Sequence, residues 1–119
     1  MRKLFWVLLC LLPSLAWAEP LTVNYTEPAA QAGALASTKI YWCIGSSCTN
    51  FVLARKTDNT FAIQASDDGN GGDAKSIDIS IPLNEADLPI TVRIAVTSVN
   101  TSGNETDKTA VTATHTFSP

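Results

Sequence analysis

Between Ile77 and Ile81 apolar and polar residues alternate one for one, with Ile77, Ile79 and Ile81 on one side and Asp78 and Ser80 on the other, up to Pro82. Period two marks a half-buried strand, because successive side chains leave a pleated backbone on opposite faces. The rhythm recurs in residues 91–97, where Val92, Ile94 and Val96 oppose Thr91, Arg93 and Thr97, and in residues 21–28, where Leu21, Val23 and Tyr25 point inward. Val111, Ala113, His115 and Phe117 form a further alternating run. Asn100, Ser102, Gly103 and Asn104 are residues suited to chain reversal, so the runs on either side of them read as a β-hairpin. Residues 39–43 are strongly β-prone and residues 50–55 are apolar-rich beyond a Gly-Ser-Ser turn, which predicts a second hairpin. Residues 60–64 predict a short strand with Phe61 and Ile63 on one side. The small, Ala-rich stretch 29–38, interrupted by Gly33, and the acidic, glycine-rich stretch 67–73 predict loops.

Short strands separated by turn signals, without sustained helical periodicity, predict an all-β sandwich. The segment AVTSVNTSGNET (residues 95–106) resembles the penultimate strand and last loop of a fibronectin type III domain. Residues 21–28 are similar to the second strand of that family, with Tyr25 where a Trp often stands. KIYWCIGSS (residues 39–47) resembles the third strand of its bacterial members. The resemblance covers most of residues 21–117 and implies an immunoglobulin-like sandwich of about six to seven strands. Two departures stand out. Val92 occupies the place of a tyrosine that usually ties down the preceding corner, so Leu83, Leu88 and Pro89 are expected to pack beneath it. If Leu21 opens the second strand, little chain precedes it to form the first, and residues 21–26 are expected to be an open sheet edge.

The N-terminus changes the picture. Arg2 and Lys3, an apolar run over residues 4–12 and the small-x-small site Ala16-Trp17-Ala18 read as a secretory signal over residues 1–18, compatible with a bacterial one. That leaves one domain, residues 19–119, destined for secretion to the periplasm or the cell surface. Cys10 leaves with the signal. Cys43 and Cys48 remain as an even pair in an oxidising compartment, where a disulfide is the default. Of eight basic residues six remain with all eleven acidic ones, so the formal charge is 6 − 11 = −5. No basic run or aromatic-basic interleaving is present to neutralise phosphates, which argues against nucleic acid as a partner. Beyond the signal no apolar segment reaches spanning length, so no transmembrane segment is expected in the mature chain.

Candidate chemistry is sparse. His115 lies in a strand pattern without a Ser- or Cys-centred nucleophile motif, and reads as a satisfied structural histidine. The pairs Asp67-Asp68 and Glu85 with Asp87 read as solvated loop charges. Asp67, Asp68 and Asp73 on a glycine-rich loop form a weak calcium candidate, although their spacing fits neither an EF-hand nor a Gly-Asp repeat. The sequons at Asn24, Asn100 and Asn104 read as coincidence in Ser/Thr-rich stretches. Tyr41 and Trp42 must point to opposite faces of their strand, one into the core and the other exposed or covered by a loop; an outward aromatic reads as a cover for the sheet surface or as an anchor for a protein or sugar.

The sequence therefore predicts a secreted, non-catalytic binding or structural module that needs no cofactor. It would recognise a protein or a glycan through Tyr41, Trp42, exposed loops, or the open edge of Leu21, Val23 and Tyr25, where strand addition also offers self-association. The alternatives are an inhibitor of a secreted hydrolase that probes with the Cys43–Cys48 tip, and a small metal-dependent enzyme. Processing is directly testable. N-terminal sequencing and intact mass of the exported protein should give Glu19 as the first residue; another start, or a lipid on Cys10, would refute the signal assignment.

Overall fold

The long alternating runs become the long strands of a two-sheet β-sandwich. The computed structural model describes residues 17–119; residues 1–16, which hold most of the expected signal together with Cys10, lie outside the described residues. The strands are β1 (Trp17–Thr26), β2 (Leu35–Ile44), β3 (Val52–Leu53), β4 (Arg55–Lys56), β5 (Ile63–Ala65), β6 (Ala74–Leu83), β7 (Ile90–Asn100) and β8 (Thr112–Phe117), with a 3-10 turn at Glu85–Asp87. One sheet has the order β1-β6-β4; the other has β3-β2-β7-β8, and β5 also pairs with β2. All pairings are antiparallel. The arrangement is consistent with an immunoglobulin-like sandwich.

Alternation explains the core. Ile77, Ile79 and Ile81 of β6 face Ile40 of β2 and Val92, Ile94 and Val96 of β7, all buried. Fully burying a side chain of this size contributes about 1.5–3 kcal/mol, and these rows supply the driving force that holds one sheet on the other. Tyr25 ties the sheets at one end, because its hydroxyl lies 2.8 Å from Thr38 Oγ1 and donates to Gln64 Oε1 at 2.8 Å. The corner before β7 is held as expected by Leu83, which is buried, and Leu88, which packs against the core, while Pro89 is exposed and follows a cis peptide bond.

Several short-range expectations are corrected. β1 begins at Trp17 rather than Leu21, since Trp17, Ala18, Glu19 and Pro20 continue the β6 register opposite Leu83, Pro82, Ile81 and Ser80. β6 accordingly runs through Pro82 to Leu83. β2 starts at Leu35, inside the expected loop, because Leu35 is buried and its N–H donates to the Gly69 carbonyl. The expected strand over residues 50–55 divides at buried Ala54: Tyr41↔Leu53 and Trp42↔Val52 belong to one sheet, while Arg55↔Ser80 and Lys56↔Ile79 belong to the other. Phe61 and Ile63 share a side, but it is the exposed one; Ala62 between them is the fully buried residue. Phe61 is covered instead by the Arg55 guanidinium, 4.2 Å from its ring centre.

At the end of β2, Cys43 and Cys48 form the expected disulfide, with Cα atoms 6.1 Å apart. The Arg93 guanidinium donates to the Cys48 carbonyl at 2.7 Å, tying the hairpin to the outer face of β7. Closing so short a loop stabilises the chain by about 2 kcal/mol in the chain-entropy account. Replacing both cysteines by serine should lower unfolding free energy by about 1–3 kcal/mol and leave the fold in place, as read by urea unfolding and circular dichroism. A variant unchanged in stability would show that the bond constrains nothing.

Candidate functional site

On one side the sandwich is missing a wall. β1 ends its sheet and β8 ends the other, and among the described residues no strand pairs with the outer edge of either. Between them lies an open groove of about 360 Å³. Its near wall is the inward row of β1, Leu21 and Val23 half-buried and Tyr25 buried; its floor is Ile94 and Val96 of β7. The far wall is the inward row of β8. Val111, Ala113 and His115 share a face with buried Phe117, yet all three are exposed, Val111 at 42%. Their exposure has a geometric cause: they point to the core side of the sheet, where none of the described residues covers them.

The backbone direction at these edges follows from two hydrogen bonds. Glu27 N–H donates to the Asp73 carbonyl at 2.9 Å, continuing the β1–β6 register. Antiparallel strands alternate between residues whose N–H and C=O face the partner and residues whose groups face away. Tyr25, Val23 and Leu21 therefore bond β6, and Thr22, Asn24 and Thr26 turn their backbone groups outward. Pro20 falls in the outward set, where its lack of an N–H removes no ladder bond. Likewise Val96 N–H donates to the Val111 carbonyl at 3.0 Å, so Thr112, Thr114 and Thr116 face outward from β8.

Pro20, in the outward set, and Glu19 guard the start of β1, but neither edge is blunted over residues 21–26 and 112–117. Natural sheets guard an edge by shortening it, charging it or placing proline on it. The opposite side of this sandwich does so: β3 and β4 have two residues each and β5 three, and β4 consists of Arg55 and Lys56. β1 and β8 are longer, at ten and six residues, and no charged side chain lies in residues 20–26 or 112–117. Among the described residues no loop takes over as a cover. The loop before β2 crosses elsewhere, with Pro28 O accepting from Ser98 Oγ at 2.6 Å and Ala32 O accepting from Asn100 Nδ2 at 2.8 Å.

The remaining sequence candidates do not join this groove. Trp42 is half-buried and lines a second groove of about 460 Å³ on the far side, beside Val52, Arg55 and Lys56. Tyr41 is not the exposed anchor that alternation left open for it: it is buried beneath the loop leading to β8. Its hydroxyl donates to Glu105 Oε2 at 2.5 Å, the same oxygen accepts from Thr97 Oγ1 at 2.6 Å, and Lys108 Nζ stands 4.8 Å from the ring centre. Burial opposes ionisation of Glu105, but the bonds from Thr97 and Tyr41, with Lys39 and Lys108 nearby, outweigh it and hold the carboxyl below its ordinary range. Burial first, and then the bond to Glu105, push Tyr41 upward. This network is not legible in the sequence, since its members are 64 and 8 residues apart. Only the Asn-Glu-Thr turn residues hinted at order in the loop.

The acidic loop is likewise accounted for by internal bonds. Asp67 pairs with Lys75 at 2.6 Å, Asp68 Oδ1 accepts from Asn70 N–H, and the Asp73 carbonyl accepts from Glu27. Among the described residues no three His, Cys, Asp or Glu side chains gather as metal ligands would. Glu27 beside this loop is 2% exposed, and neither carboxylate oxygen has a hydrogen-bond partner. His115 is an exposed residue set edge-on to Phe117 at 4.7 Å, rather than a satisfied structural histidine. No family model, curated protein or solved structure matches the chain.

The Glu105 network yields a prediction. Glu105→Ala strands the Tyr41 and Thr97 hydroxyls beneath the loop and should cost about 1–3 kcal/mol in urea unfolding. Because the folded carboxyl is held below its unfolded value, its ionisation stabilises the fold above the unfolded pKa, and that contribution is lost as pH falls through the folded one. Glu105→Gln, which cannot ionise, should therefore differ from the parent at neutral pH and converge with it in acid below the ordinary carboxylate range. A difference independent of pH would refute the assignment.

Proposed function

We propose that this protein is a non-catalytic binding module of the extracytoplasmic space, a single fibronectin type III-like domain that engages a protein partner through the β1–β8 side of its sandwich. The observation that carries the reading is the contrast between edges: short and cationic on one side, long and uncharged around an apolar groove on the other. An edge of the second kind is an aggregation hazard unless something occupies it. The disulfide is consistent with an oxidising compartment, in keeping with the signal-like N-terminus. No helix among the described residues is long and apolar enough to cross a membrane. The likeness to fibronectin type III domains rests on the sequence motifs; among the described residues no strand pairs with the outer edge of β1.

The test is site-directed photocrosslinking in the native envelope. A photoreactive residue at Thr22 or Thr114 should give a defined protein adduct, whereas the same residue at Thr57, on the far groove, should give none. Adducts confined to Ser46 or Ser47 at the disulfide tip would favour the hydrolase-inhibitor alternative and overturn the reading. A complete lack of adducts from Thr22 and Thr114 would overturn it as well.

A further inference from the structure

We infer that the groove is completed by a free extended segment of a different polypeptide, uncharged and with alternate apolar residues, which inserts between β1 and β8 as the strand this sandwich lacks. The inference rests on the reading of the protein as a binding module and specifies what is bound. Three features of the groove select this occupant. First, its two rims are main-chain edges: Thr22, Asn24 and Thr26 turn unpaired backbone groups outward on β1, and Thr112, Thr114 and Thr116 do so on β8. Only a partner that offers its own backbone in extended form satisfies a row of alternating donors and acceptors.

Second, the space between the rims is walled and floored mainly by apolar side chains, and its lining includes His115 but no Asp, Glu, Lys or Arg. Leu21 and Val23 stand on one wall, Ala113 on the other, and Ile94 and Val96 form the floor. A strand running along the groove turns every second side chain down onto that floor and the intervening ones to solvent. Those inward residues must be apolar, since a charge placed there would lose its hydration and find no opposite charge to pair with. Affinity should accordingly depend little on salt.

Third, a second copy of this chain does not fit. Its exposed edges belong to strands already held in its own sheets, so pairing β1 with β1 would extend one sheet sideways in its own plane. The neighbour's side chains would then lie above and below that sheet, and Val111 and Ala113, the exposed apolar residues of the far wall, would stay uncovered. A free segment can drop between the sheets; an edge strand of a folded sandwich cannot.

Two synthetic peptides of roughly nine residues, the length of a common strand, serve as probes on the exported full chain. In one, Val alternates with Ser and Thr; in the other, the same residues are ordered with the Val consecutive. Amide hydrogen exchange followed by NMR is the readout. The alternating peptide should slow exchange at Thr22, Asn24, Thr26, Thr112, Thr114 and Thr116 by roughly tenfold or more, and the control should not. Replacing two Val of the alternating peptide by Lys should abolish the effect. Asn24→Pro and, separately, Thr114→Pro remove an outward donor from one rim without touching the ladder behind it, and each should weaken the protection on its own rim. Should one of these variants unfold, the other and the peptide pair still decide.

Slow exchange of the outward amides in the unliganded protein, equal protection by both peptides, or protection by neither would overturn the inference. So would sedimentation showing a dimer that buries these amides. Crosslinks from Thr22 and Thr114 that map to a folded surface of the partner would overturn the inserted strand while leaving the binding module intact. Loss of all such crosslinks would instead remove the binding module.

Discussion

Everything in this molecule depends on two sheets of unequal width sharing one apolar interface. The wider sheet places β2, β7 and β8 side by side with short pieces at its far margin, and the narrower one has only β1, β6 and a two-residue β4. Period-two alternation obliges each strand to present an inward row whether or not a strand stands opposite. Over β7 and β2 the obligation is met, and Ile40, Ile79, Ile81 and Val92 are fully buried. Over β8 it is not, and Val111, Ala113 and His115 remain exposed on the same face as Phe117. The groove is thus a consequence of strand count rather than of any local feature.

The same constraint explains which parts were legible in the sequence. β1, β6 and β7 are long, and in each one row of alternate residues faces the core, so periodicity located them and assigned their inward faces, although in β7 the outward Ala95 and Thr97 are buried as well. The alternation of Leu21, Val23 and Tyr25 also marked the inward row of the strand that ends its sheet among the described residues. β3, β4 and β5 were not legible as such. A two-residue strand has no period, and whether Ala54 begins a crossing between sheets is decided by partners such as Ser80 and Ile79, more than twenty residues away. Alternation placed Phe61 and Ile63 on one side without saying which side faces the core; Ala62 is the buried residue and Phe61 is shielded by Arg55 from outside. Alternation separated Tyr41 from Trp42, but no local rule revealed that the loop around Glu105 would close over Tyr41.

That loop shows how the fold handles an outward face it does not leave to water. Ala95, Thr97 and Tyr41 lie on the outer side of their sheet and are nonetheless buried. The cover is polar: Glu105 accepts two hydroxyl donors through one oxygen, Thr106 bonds Ser98 through both side chain and backbone, and Asn100 Oδ1 accepts from Ser102 and Asn104. Buried polar groups are tolerable only when satisfied, and here the satisfaction is nearly complete. Glu27 is the contrast, a buried carboxylate with neither oxygen bonded, at the end of the strand that forms the open edge.

Placing the two kinds of edge on one small domain has a physical meaning. The cationic, two-residue β4 and its neighbours give another strand too few outward groups to pair with, whereas β1 and β8 offer two uninterrupted rims of threonine and asparagine. The inward residues around the groove are not alike: Val23 packs against the core, whereas Ala113 stands exposed on the inward face of β8. Burial of apolar surface stabilises in proportion to the area removed from water, so the inward row of β8 is where the unequal width of the two sheets leaves their shared interface unfinished.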